Sequence, residues 1–296
     1  MIGAALTALR PKQWTKNLLV FVGVIFSQHL SEGAMLQRAV AGFLTFSLLS
    51  GSVYVLNDLL DIESDRQHPR KRLRPIASGA LPVAVAWTML PLLWIAVALL
   101  SWWLGVGFMI VAGVYLLNNF AYSHWLKHQV VLDVMLISLG FVLRAIAGVA
   151  VLWPISPETQ LSPWLLVCTF FGALFLGVSK RRRELVNAGK QAGMQRAVLQ
   201  VYTPELLDIM LSVSAATTLM AYALYTIWPT TVTKFGTEAL MYTVPFVAYG
   251  VFRYLHLVNV SESSEDPSQV LLSDRPIQIT VVLFLTTAVW VLYFGR

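Results

Sequence analysis

Residues 37–65 read QRAVAGFLTFSLLSGSVYVLNDLLDIESD, a long apolar run that ends in a cluster of acidic residues. The apolar part is long enough to cross a bilayer as a single helix, for which about 20 residues suffice. Lipid offers no partner for free backbone N–H and C=O groups, so a helix is the conformation that this run adopts in a membrane. The stretch therefore predicts a transmembrane helix with carboxylates at one end.

The whole chain shares this apolar character. Of its 296 residues, 57% are hydrophobic and 12% are charged, whereas soluble domains hold about a quarter charged residues. This composition excludes a soluble fold, and the alternating ten-residue segments of a membrane β-barrel do not occur in the sequence. Nothing suggests nucleic-acid binding, and a single cysteine, Cys168, rules out an intrachain disulfide.

Apolar segments of spanning length predict an all-α integral membrane protein with about nine transmembrane helices. These segments are residues 17–30, 37–60, 81–101, 104–121, 131–152, 162–180, 206–228, 239–257 and 276–294. A count of eight is the alternative, because the first segment is short and the gap from Ser101 to Leu104 is tight. Residues 1–16, with Ile2 to Trp14 as their core, predict an interfacial helix that leads into the first span.

Lysine and arginine gather in alternate loops, and this asymmetry places the N-terminus in the cytoplasm. Most acidic residues fall on the same side, which predicts an active site facing the cytoplasm in a multi-pass protein of the inner (cytoplasmic) membrane. A transporter for an anionic solute is a second alternative function. It would place ionisable groups through the membrane depth, where Arg144 is the only clear candidate.

The acidic cluster carries the strongest chemical signal. At about 100° per residue, Asp58, Asp61 and Asp65 lie within about 60° of one another on a helix, and Asn57 lies one turn below Asp61. Such an oxygen-only face predicts a Mg²⁺ site, because Mg²⁺ takes one or two carboxylates and completes its shell with water and substrate phosphates. The alternative is a solvated helix end that is salt-bridged to the arginines that follow.

A basic loop, residues 66–79, follows the acidic cluster and is broken by two prolines. Its position beside the carboxylates predicts that Arg70 and Arg74 hold phosphate oxygens bidentately. A loop that is basic only because it is cytoplasmic is the alternative.

The pattern Asn57-Asp58-x-x-Asp61-x-x-x-Asp65, followed by Arg74-Pro75-Ile76-Ala77-Ser78-Gly79, resembles the first motif of the UbiA superfamily of membrane prenyltransferases. The resemblance implies one transmembrane domain over residues 1–296, with nine helices around a central cavity. It also implies that Mg²⁺ on Asn57, Asp58, Asp61 and Asp65 binds and ionises a diphosphate, with the three aspartates as catalytic residues. The active-site loops would then be residues 57–80, 122–133, 179–205 and 256–275.

The sequence departs from that family where a second aspartate-rich motif is most familiar, between helices six and seven. The corresponding stretch reads Ser179-Lys180-Arg181-Arg182-Arg183-Glu184-Leu185, which offers cations and one carboxylate. An isoprenyl diphosphate held between two aspartate clusters is therefore disfavoured. Transfer of a prenyl group from its diphosphate to an aromatic acceptor is retained as the first alternative function.

Three further stretches are similar to one branch of the family: residues 9–17 (LRPKQWTKN), residues 122–127 (YSHWLK) with Leu132-Asp133, and Asp266-Pro267 with Ser273-Asp274-Arg275. That resemblance implies a Mg²⁺-dependent transfer of phosphoribose from phosphoribosyl diphosphate (PRPP) to a polyprenyl phosphate, which would supply an arabinose donor for the cell envelope. The substrate-binding residues would include Lys16, Asn17, Arg70, Arg74, Tyr122, Ser123, Lys127, Asp133, Arg144, Lys180, Arg181 and Glu184.

The charges agree with that chemistry, because PRPP and the lipid together bring three phosphate groups to one site. Lys16, Arg74, Lys127, Lys180 and Arg181 are the cations that we expect to neutralise them. Structural alternatives remain open for most of these residues. As alternatives, Lys16 and Lys127 are snorkelling anchors at helix ends, and Lys180 pairs with Glu184 one turn away. In the same structural interpretation, Asp133 caps a helix or pairs locally, and Arg144 makes a buried hydrogen bond to carbonyls. Tyr122 and Ser123 would then donate to a neighbouring helix. For Asp274 we favour a helix N-cap over a site role.

Overall fold

The computed structural model describes residues 1–160, 162–188, 197–260 and 273–294, which form helices and turns without any strand. Twelve α-helices account for most of these residues. They are α1 (Ile2–Ala8), α2 (Phe21–Phe26), α3 (Gly33–Leu60), α4 (Ile62–Gln67), α5 (Val83–Leu104), α6 (Val106–His124), α7 (Leu132–Ala150), α8 (Pro163–Ala188), α9 (Pro204–Ile227), α10 (Pro229–Phe235), α11 (Val244–Val260) and α12 (Arg275–Phe294). Short 3₁₀ helices are Pro11–Val20, Lys71–Leu73, Leu126–His128, Ala197–Gln200 and Ala239–Thr243.

Seven helices in the described part of the chain are long and apolar enough to cross a membrane: α3, α5, α6, α7, α8, α9 and α12. They coincide with seven of the nine predicted spans and confirm an all-α membrane protein. The other two predicted spans contain shorter helices, with Pro11–Val20 and α2 in the first and Ala239–Thr243 and α11 in the second. The count of nine and the cytoplasmic N-terminus therefore stay predictions.

The surface of the spanning helices is apolar, as a bilayer requires. On α5, for example, Leu92 is 67% exposed and Trp102 is 72% exposed. Large exposed apolar surfaces mark contact with another apolar phase in folded proteins, and here the helix lengths identify that phase as lipid.

The N-terminal segment differs from the prediction. One helix from Ile2 to Trp14 is wrong, because α1 ends at Ala8 and Arg10 takes a left-handed conformation with φ of 52°. The ring of Pro11 disfavours helical geometry at the residue before it, which explains the break. Trp14 then donates its indole N–H to the Leu9 carbonyl over 3.1 Å, and this bond fixes the turn.

The chain divides into two compact units: unit 1 comprises Met1–Ser123 and Leu143–Thr159, and unit 2 comprises His124–Val142 and Gln160–Arg296. The α7 helix contributes residues 132–142 to unit 2 and residues 143–150 to unit 1.

A close approach of backbones organises the core of unit 1. A Cβ atom on Gly148 would lie 2.1 Å from the Val20 carbonyl oxygen, and one on Gly23 would lie 2.0 Å from the Gly148 carbonyl oxygen. Small residues allow membrane helices to pack this tightly, which is the main source of their association in lipid. Phe46 and Phe108 fill the adjoining core, where both are fully buried.

Arg38 binds two helix ends in unit 1. Its Nε donates to the Val151 carbonyl over 2.6 Å, and its Nη2 donates to the Leu104 carbonyl at the end of α5. The last carbonyls of a helix lack partners inside the helix and carry partial negative charge, so a guanidinium satisfies both needs.

The core of unit 2 forms where α8 and α9 pack together with α11 and α12. Phe175 of α8 and Tyr254 of α11 meet edge to face with ring centroids 5.4 Å apart. Val134, Leu207 and Ile277 are buried around them and connect α7, α9 and α12 to the same core.

The Gly148–Val20 approach generates the first prediction. We expect Gly148→Ala to lower the stability of the protein by about 1–3 kcal/mol, because the added methyl group meets a backbone oxygen that cannot rotate away. Gly113→Ala is the matched control, since a Cβ there meets nothing within 4 Å and alanine favours a helix by up to about 1 kcal/mol. Thermal unfolding in detergent checks both variants, and equal Tm values for them would contradict the packing role.

Candidate active site

The predicted magnesium face is divided by a break in the helix. The α3 helix ends at Leu60, and α4 begins at Ile62, with Asp61 between them at φ −96° and ψ 10°. The prediction that three aspartates share one continuous helix face is therefore wrong. Asp58 and Asp65 are 1% and 0% exposed, whereas Asp61 lies exposed at the break.

Two arginines hold the buried carboxylates. Arg74 donates from Nη1 to Asp58 Oδ1 over 3.0 Å and to Asp65 Oδ2 over 2.6 Å. Arg10 donates from Nη2 to Asp58 Oδ1 over 2.6 Å and lies over the Tyr54 ring. The formal charges of the two arginines and two aspartates cancel, as burial of charge requires.

Burial of Ile76 places Arg74 in this cluster. Ile76 is fully buried against Val55 and Leu59 of α3, so the basic loop folds back over the end of that helix. The Leu81 amide donates to the Pro75 carbonyl over 2.8 Å and closes the turn. Arg70, the other predicted phosphate ligand of this loop, is exposed.

The donor set fits a hard cation. The described residues contain no group of three or more His, Cys, Asp or Glu side chains suited to a metal, but Mg²⁺ needs only one or two carboxylates when phosphate and water complete its shell. Asp65 Oδ1 is buried and accepts no hydrogen bond from the described residues. A buried carboxylate oxygen in this state costs free energy unless a cation or water occupies the space beside it. Asp58, Asp65 and Asn57 are the residues that would hold Mg²⁺.

Asn17 and Arg144, both predicted to bind substrate, bind each other. Arg144 is 5% exposed and donates from Nε to Asn17 Oδ1 over 2.7 Å and from Nη2 to Tyr115 Oη over 2.9 Å. Asn17 is fully buried and donates to the hydroxyls of Ser47 and Ser50 over 3.0 and 3.2 Å. These bonds of Arg144 go to side chains and not to the carbonyls of the structural alternative, and its role toward substrate stays a prediction. Lys16, the residue next to Asn17, is half-buried.

The predicted loop at Ser179 is helical. The α8 helix continues to Ala188, so residues 180–184 project from a helix. Residues 189–196 of that predicted loop, and the Asp266-Pro267 motif in the predicted loop 256–275, lie outside the described residues.

Asp133 and Arg181 form a buried ion pair in unit 2. Arg181 is 1% exposed and donates from Nε to Asp133 Oδ2 over 2.7 Å and from Nη1 to Glu184 Oε2 over 2.9 Å. Tyr202 donates to the other oxygen, Asp133 Oδ1, over 2.7 Å. Asp133 therefore pairs across the sequence and not locally, and Glu184 accepts from Arg181. Lys180 is half-buried beside them on α8.

Tyr202 also secures a strained backbone. Its hydroxyl accepts a hydrogen bond of 2.8 Å from the amide of Val131, which has φ of 70°. A β-branched residue is a clear outlier there, and such strain persists only where the surroundings fix it. Burial, followed by the bond to Asp133, raises the pKa of Tyr202, so its proton stays available for that bond. The turn leads back to Lys127 in the 3₁₀ helix Leu126–His128.

The remaining predicted residues occupy helix ends. Tyr122 and Ser123 lie half-buried at the end of α6. Asp274 accepts from the Ile277 amide over 3.0 Å at the start of α12, which confirms the N-cap. The Arg253 guanidinium donates to Asp274 over 2.9 Å, and this bond lowers the pKa of that carboxyl.

Sequence reasoning missed three members of these clusters: Arg10, Tyr115 and Tyr202. Arg10 lies in the LRPKQWTKN stretch and precedes a proline, which is a local signal for a turn. Tyr115 and Tyr202 lie far along the chain from the partners they bind, and no local pattern marks them.

Seven apolar spans, with charged clusters at helix ends, describe a multi-pass membrane protein. The sequence pattern of the UbiA prenyltransferase family matches residues 17–273. The chain belongs to this family, and it is a transferase.

Relatives of similar length share about a third of the sequence. A decaprenyl-phosphate phosphoribosyltransferase from Mycolicibacterium smegmatis is 32% identical, over 100% of this chain and 94% of the relative. One from Corynebacterium glutamicum is 33% identical, over 97% of this chain and 86% of the relative.

Solved structures show the same fold. A UbiA homolog from Archaeoglobus fulgidus bound to DMAPP and Mg²⁺ superimposes with a TM-score of 0.72 at 21% identity, over 98% of this chain and 99% of that one. The same homolog bound to GPP and Mg²⁺ gives a TM-score of 0.71.

The hydrogen bond from the Val131 amide to the Tyr202 hydroxyl generates the second prediction. We expect Tyr202→Phe to relax the turn that carries Lys127, because the variant keeps the ring and loses both hydrogen bonds of the hydroxyl. Loss of a buried hydrogen bond costs about 1–3 kcal/mol, so the Tm falls and amide exchange at Val131 accelerates. Tyr249→Phe, at a 48% exposed tyrosine of α11, is the control. Unchanged exchange at Val131 in Tyr202→Phe would show that the hydroxyl does not hold the turn.

Proposed function

We propose that this protein transfers a 5-phosphoribosyl group from PRPP to a polyprenyl phosphate. The bond between ribose C1 and the diphosphate oxygen breaks, and a bond between C1 and a phosphate oxygen of the lipid forms. Diphosphate leaves with the electron pair of the broken bond. The product, a polyprenyl-phosphoryl-5-phosphoribose, is a precursor of the kind that cell-envelope arabinose donors require.

The charge of the α8 end is the observation that carries this proposal. The familiar UbiA enzymes hold a prenyl diphosphate between two acidic clusters, and the second cluster lies between helices six and seven. At that position this chain has Lys180, Arg181, Arg182 and Arg183. The one carboxylate of the stretch, Glu184, accepts from Arg181. Two relatives of about 32–33% identity over nearly their full length, both named for phosphoribosyl transfer to decaprenyl phosphate, support the same donor.

The carboxylate cluster of unit 1 is the proposed diphosphate site. Asp58, Asp65 and Asn57 are the ligands that we propose for Mg²⁺, and Asp61 at the helix break completes the predicted set. When bound, Mg²⁺ stabilises the charge that develops on the diphosphate as the C1–O bond breaks. Arg74 contributes to diphosphate binding by exchanging one of its carboxylate partners for a phosphate oxygen, since a guanidinium binds both groups equally well.

The other phosphates require further cations. We propose Lys16, Arg70, Lys127 and Lys180 as their ligands, with Tyr122 and Ser123 as hydroxyl donors. Asn17, Asp133, Arg144, Arg181 and Glu184 act by holding the segments that present these groups, in keeping with the bonds described above. Arg70 is exposed, and Lys16, Lys127 and Lys180 are half-buried, so each keeps part of its side chain accessible to a phosphate, whereas a buried and bonded arginine supplies position.

No general base is needed for this reaction. The acceptor is a phosphate monoester, which is ionised near neutral pH and is already a nucleophile. Catalysis then consists of positioning and of electrostatic stabilisation of the leaving diphosphate.

Transfer of a prenyl group to an aromatic acceptor is the second candidate. The likeness to a UbiA homolog bound to DMAPP and Mg²⁺ favours it. Offering the purified protein a prenyl diphosphate and an aromatic acceptor separates the two, because only one of the two donors will be consumed.

The third prediction tests the carboxylate cluster. We expect Asp65→Asn to lower phosphoribosyl transfer by at least about a hundredfold and to raise the Mg²⁺ concentration at half-maximal rate, because the amide keeps the shape and loses the charge. Glu63→Gln is the control, since Glu63 is exposed and pairs with Arg66 on the surface.

The assay supplies the purified protein with labelled PRPP, polyprenyl phosphate and Mg²⁺, and counts label in the lipid. Tm values for both variants separate a loss of chemistry from a loss of folding. Wild-type protein that leaves the lipid unlabelled, or an Asp65→Asn variant that matches wild type, would refute the proposal.

The fourth prediction concerns the membrane orientation, which we propose to place the N-terminus and the active site in the cytoplasm. The single cysteine makes a simple test possible: Cys168→Ala gives a cysteine-free background. In intact cells with a permeabilised outer barrier, we expect an impermeant maleimide to label Lys234→Cys and to spare Arg72→Cys. Lysis of the cells should make both react, and the reverse pattern in intact cells would invert the orientation.

A further inference from the structure

Unit 2 contains a partly open cavity of about 300 Å³ among α8, α9, α11 and α12. Gly172, Phe175, Thr218, Gly250 and Phe284 are among the residues that line it. These helices include three of the spanning segments, so the cavity lies within the membrane-embedded part of the unit. The aspartate cluster, which belongs to unit 1, contributes no residue to it.

The lining of the cavity needs no polar ligand, because its polar groups are already hydrogen-bonded. Its threonine hydroxyls are already donated within their own helices, Thr218 to the Ser214 carbonyl over 2.7 Å and Thr280 to the Pro276 carbonyl over 2.7 Å. Aromatic rings and aliphatic side chains form most of the remaining wall. Water is disfavoured in such a space, because it would find few partners there.

A glycine keeps the cavity open. A Cβ atom on Gly250 would meet no other atom within 4 Å, so the absence of a side chain at this helical position leaves usable space. Glycine in a helix interior is otherwise unfavourable by about 0.5–1 kcal/mol relative to alanine.

One end of the cavity lies beside fixed charges. Tyr254 and Ile277 line the cavity, and their neighbours Arg253 and Asp274 form the ion pair at the start of α12. Arg183 donates to the Leu257 carbonyl one turn further along α11. Helix rise places the lining residue Leu176 about 8 Å along α8 from Arg181. Lys180, which the proposed function assigns to a phosphate, follows the lining residue Leu176 by four positions and so lies one turn further along the same face of α8. An apolar cavity that leads to this lysine matches an amphiphile with an anionic head and a hydrocarbon tail.

We propose that this cavity binds the first isoprene units of the polyprenyl phosphate acceptor, with the phosphate directed toward the basic end of α8. The proposal rests on the proposed function, which supplies the lipid. A volume of about 300 Å³ is at the lower end of the range for small-molecule sites, about 300–1,000 Å³, so the cavity accommodates only the first isoprene units of a long chain. The rest of a long chain continues along the lipid-facing surface of the helices.

Filling the cavity tests the proposal. Gly250→Leu places a side chain in the open space, and Gly113→Leu is the matched control, because a Cβ at that α6 glycine also meets nothing within 4 Å and lies away from the cavity. We expect Gly250→Leu to raise the KM for a long-chain polyprenyl phosphate by at least about tenfold, since each buried methylene carries roughly a fourfold factor in affinity. Gly250 lies one helical turn from Tyr254, which lines the charged end of the cavity, so the single isoprene unit of dimethylallyl phosphate, held at that end, stops short of Gly250. The KM for PRPP and the kinetics with dimethylallyl phosphate should therefore stay within about twofold of wild type, and Gly113→Leu should leave all of them unchanged. An equal effect of Gly250→Leu on long and short acceptors, or no effect on either, would overturn the proposal.

A binding measurement keeps this result separate from the reaction. The full chain in phosphatidylcholine nanodiscs is irradiated with a polyprenyl phosphate that carries a diazirine in its first isoprene units, and labelled peptides are mapped by mass spectrometry. We expect label on α11 and α12 at Phe246, Val247 and Phe284, lost on adding unlabelled polyprenyl phosphate and retained with excess phosphatidylglycerol. Equal competition by phosphatidylglycerol would assign the cavity to bilayer lipid and overturn the proposal. Label in the cavity without phosphoribosyl transfer would refute the proposed function alone, whereas transfer without label in the cavity would refute the subsite alone.

Discussion

The ion pairs of Arg74 with Asp58 and Asp65 are the constraint on which the candidate site depends. Two buried carboxylates repel each other and lose hydration, so a shared cation is needed to keep them at one helix end. Arg74 reaches both because Ile76 is buried two residues later and ties the loop to α3. Arg10, 48 positions before Asp58, donates a second hydrogen bond to the same carboxylate.

Buried arginines recur in both units, and each binds at least one group from a distant part of the sequence. Arg144 joins Asn17 to Tyr115, and Arg181 joins Asp133 to Glu184. The planar fork of a guanidinium presents donors in fixed directions, which suits it to hold two segments at once. Arginines that sequence reasoning assigns to phosphate binding therefore contribute first to the shape of the protein.

The sequence predicts the fold well where a signal is local and repeated. Apolar runs identify the seven long spans, and the Asp274-Arg275-Pro276 pattern identifies an N-cap, because both depend on neighbouring residues alone. The helix break at Asp61 was not predicted, since the polar residues on either side are compatible with a continued helix.

The continuation of α8 through Arg181 and Arg183 was missed for a different reason. Four adjacent cations suggest a loop, but Arg181 and Arg182 pair with Asp133 and Asp208, and Arg183 donates to the Leu257 carbonyl, all elsewhere in unit 2. The role of Tyr202 is not predictable for the same reason. Its hydroxyl forms hydrogen bonds with Val131 and Asp133, which lie some seventy positions earlier in the sequence. Long-range partners of this kind leave no mark on a single sequence.

The junction between α5 and α6 has a consequence for how the chain enters a membrane. One residue, Gly105 with φ of 114°, separates two apolar helices, and Arg38 binds the carbonyl that precedes it. A connection of one residue contains no polar loop that could stay on one side of the membrane while the second helix is synthesised. The two helices therefore form a tight hairpin that is suited to enter lipid as a pair, and the guanidinium of the earlier helix α3 binds its tip.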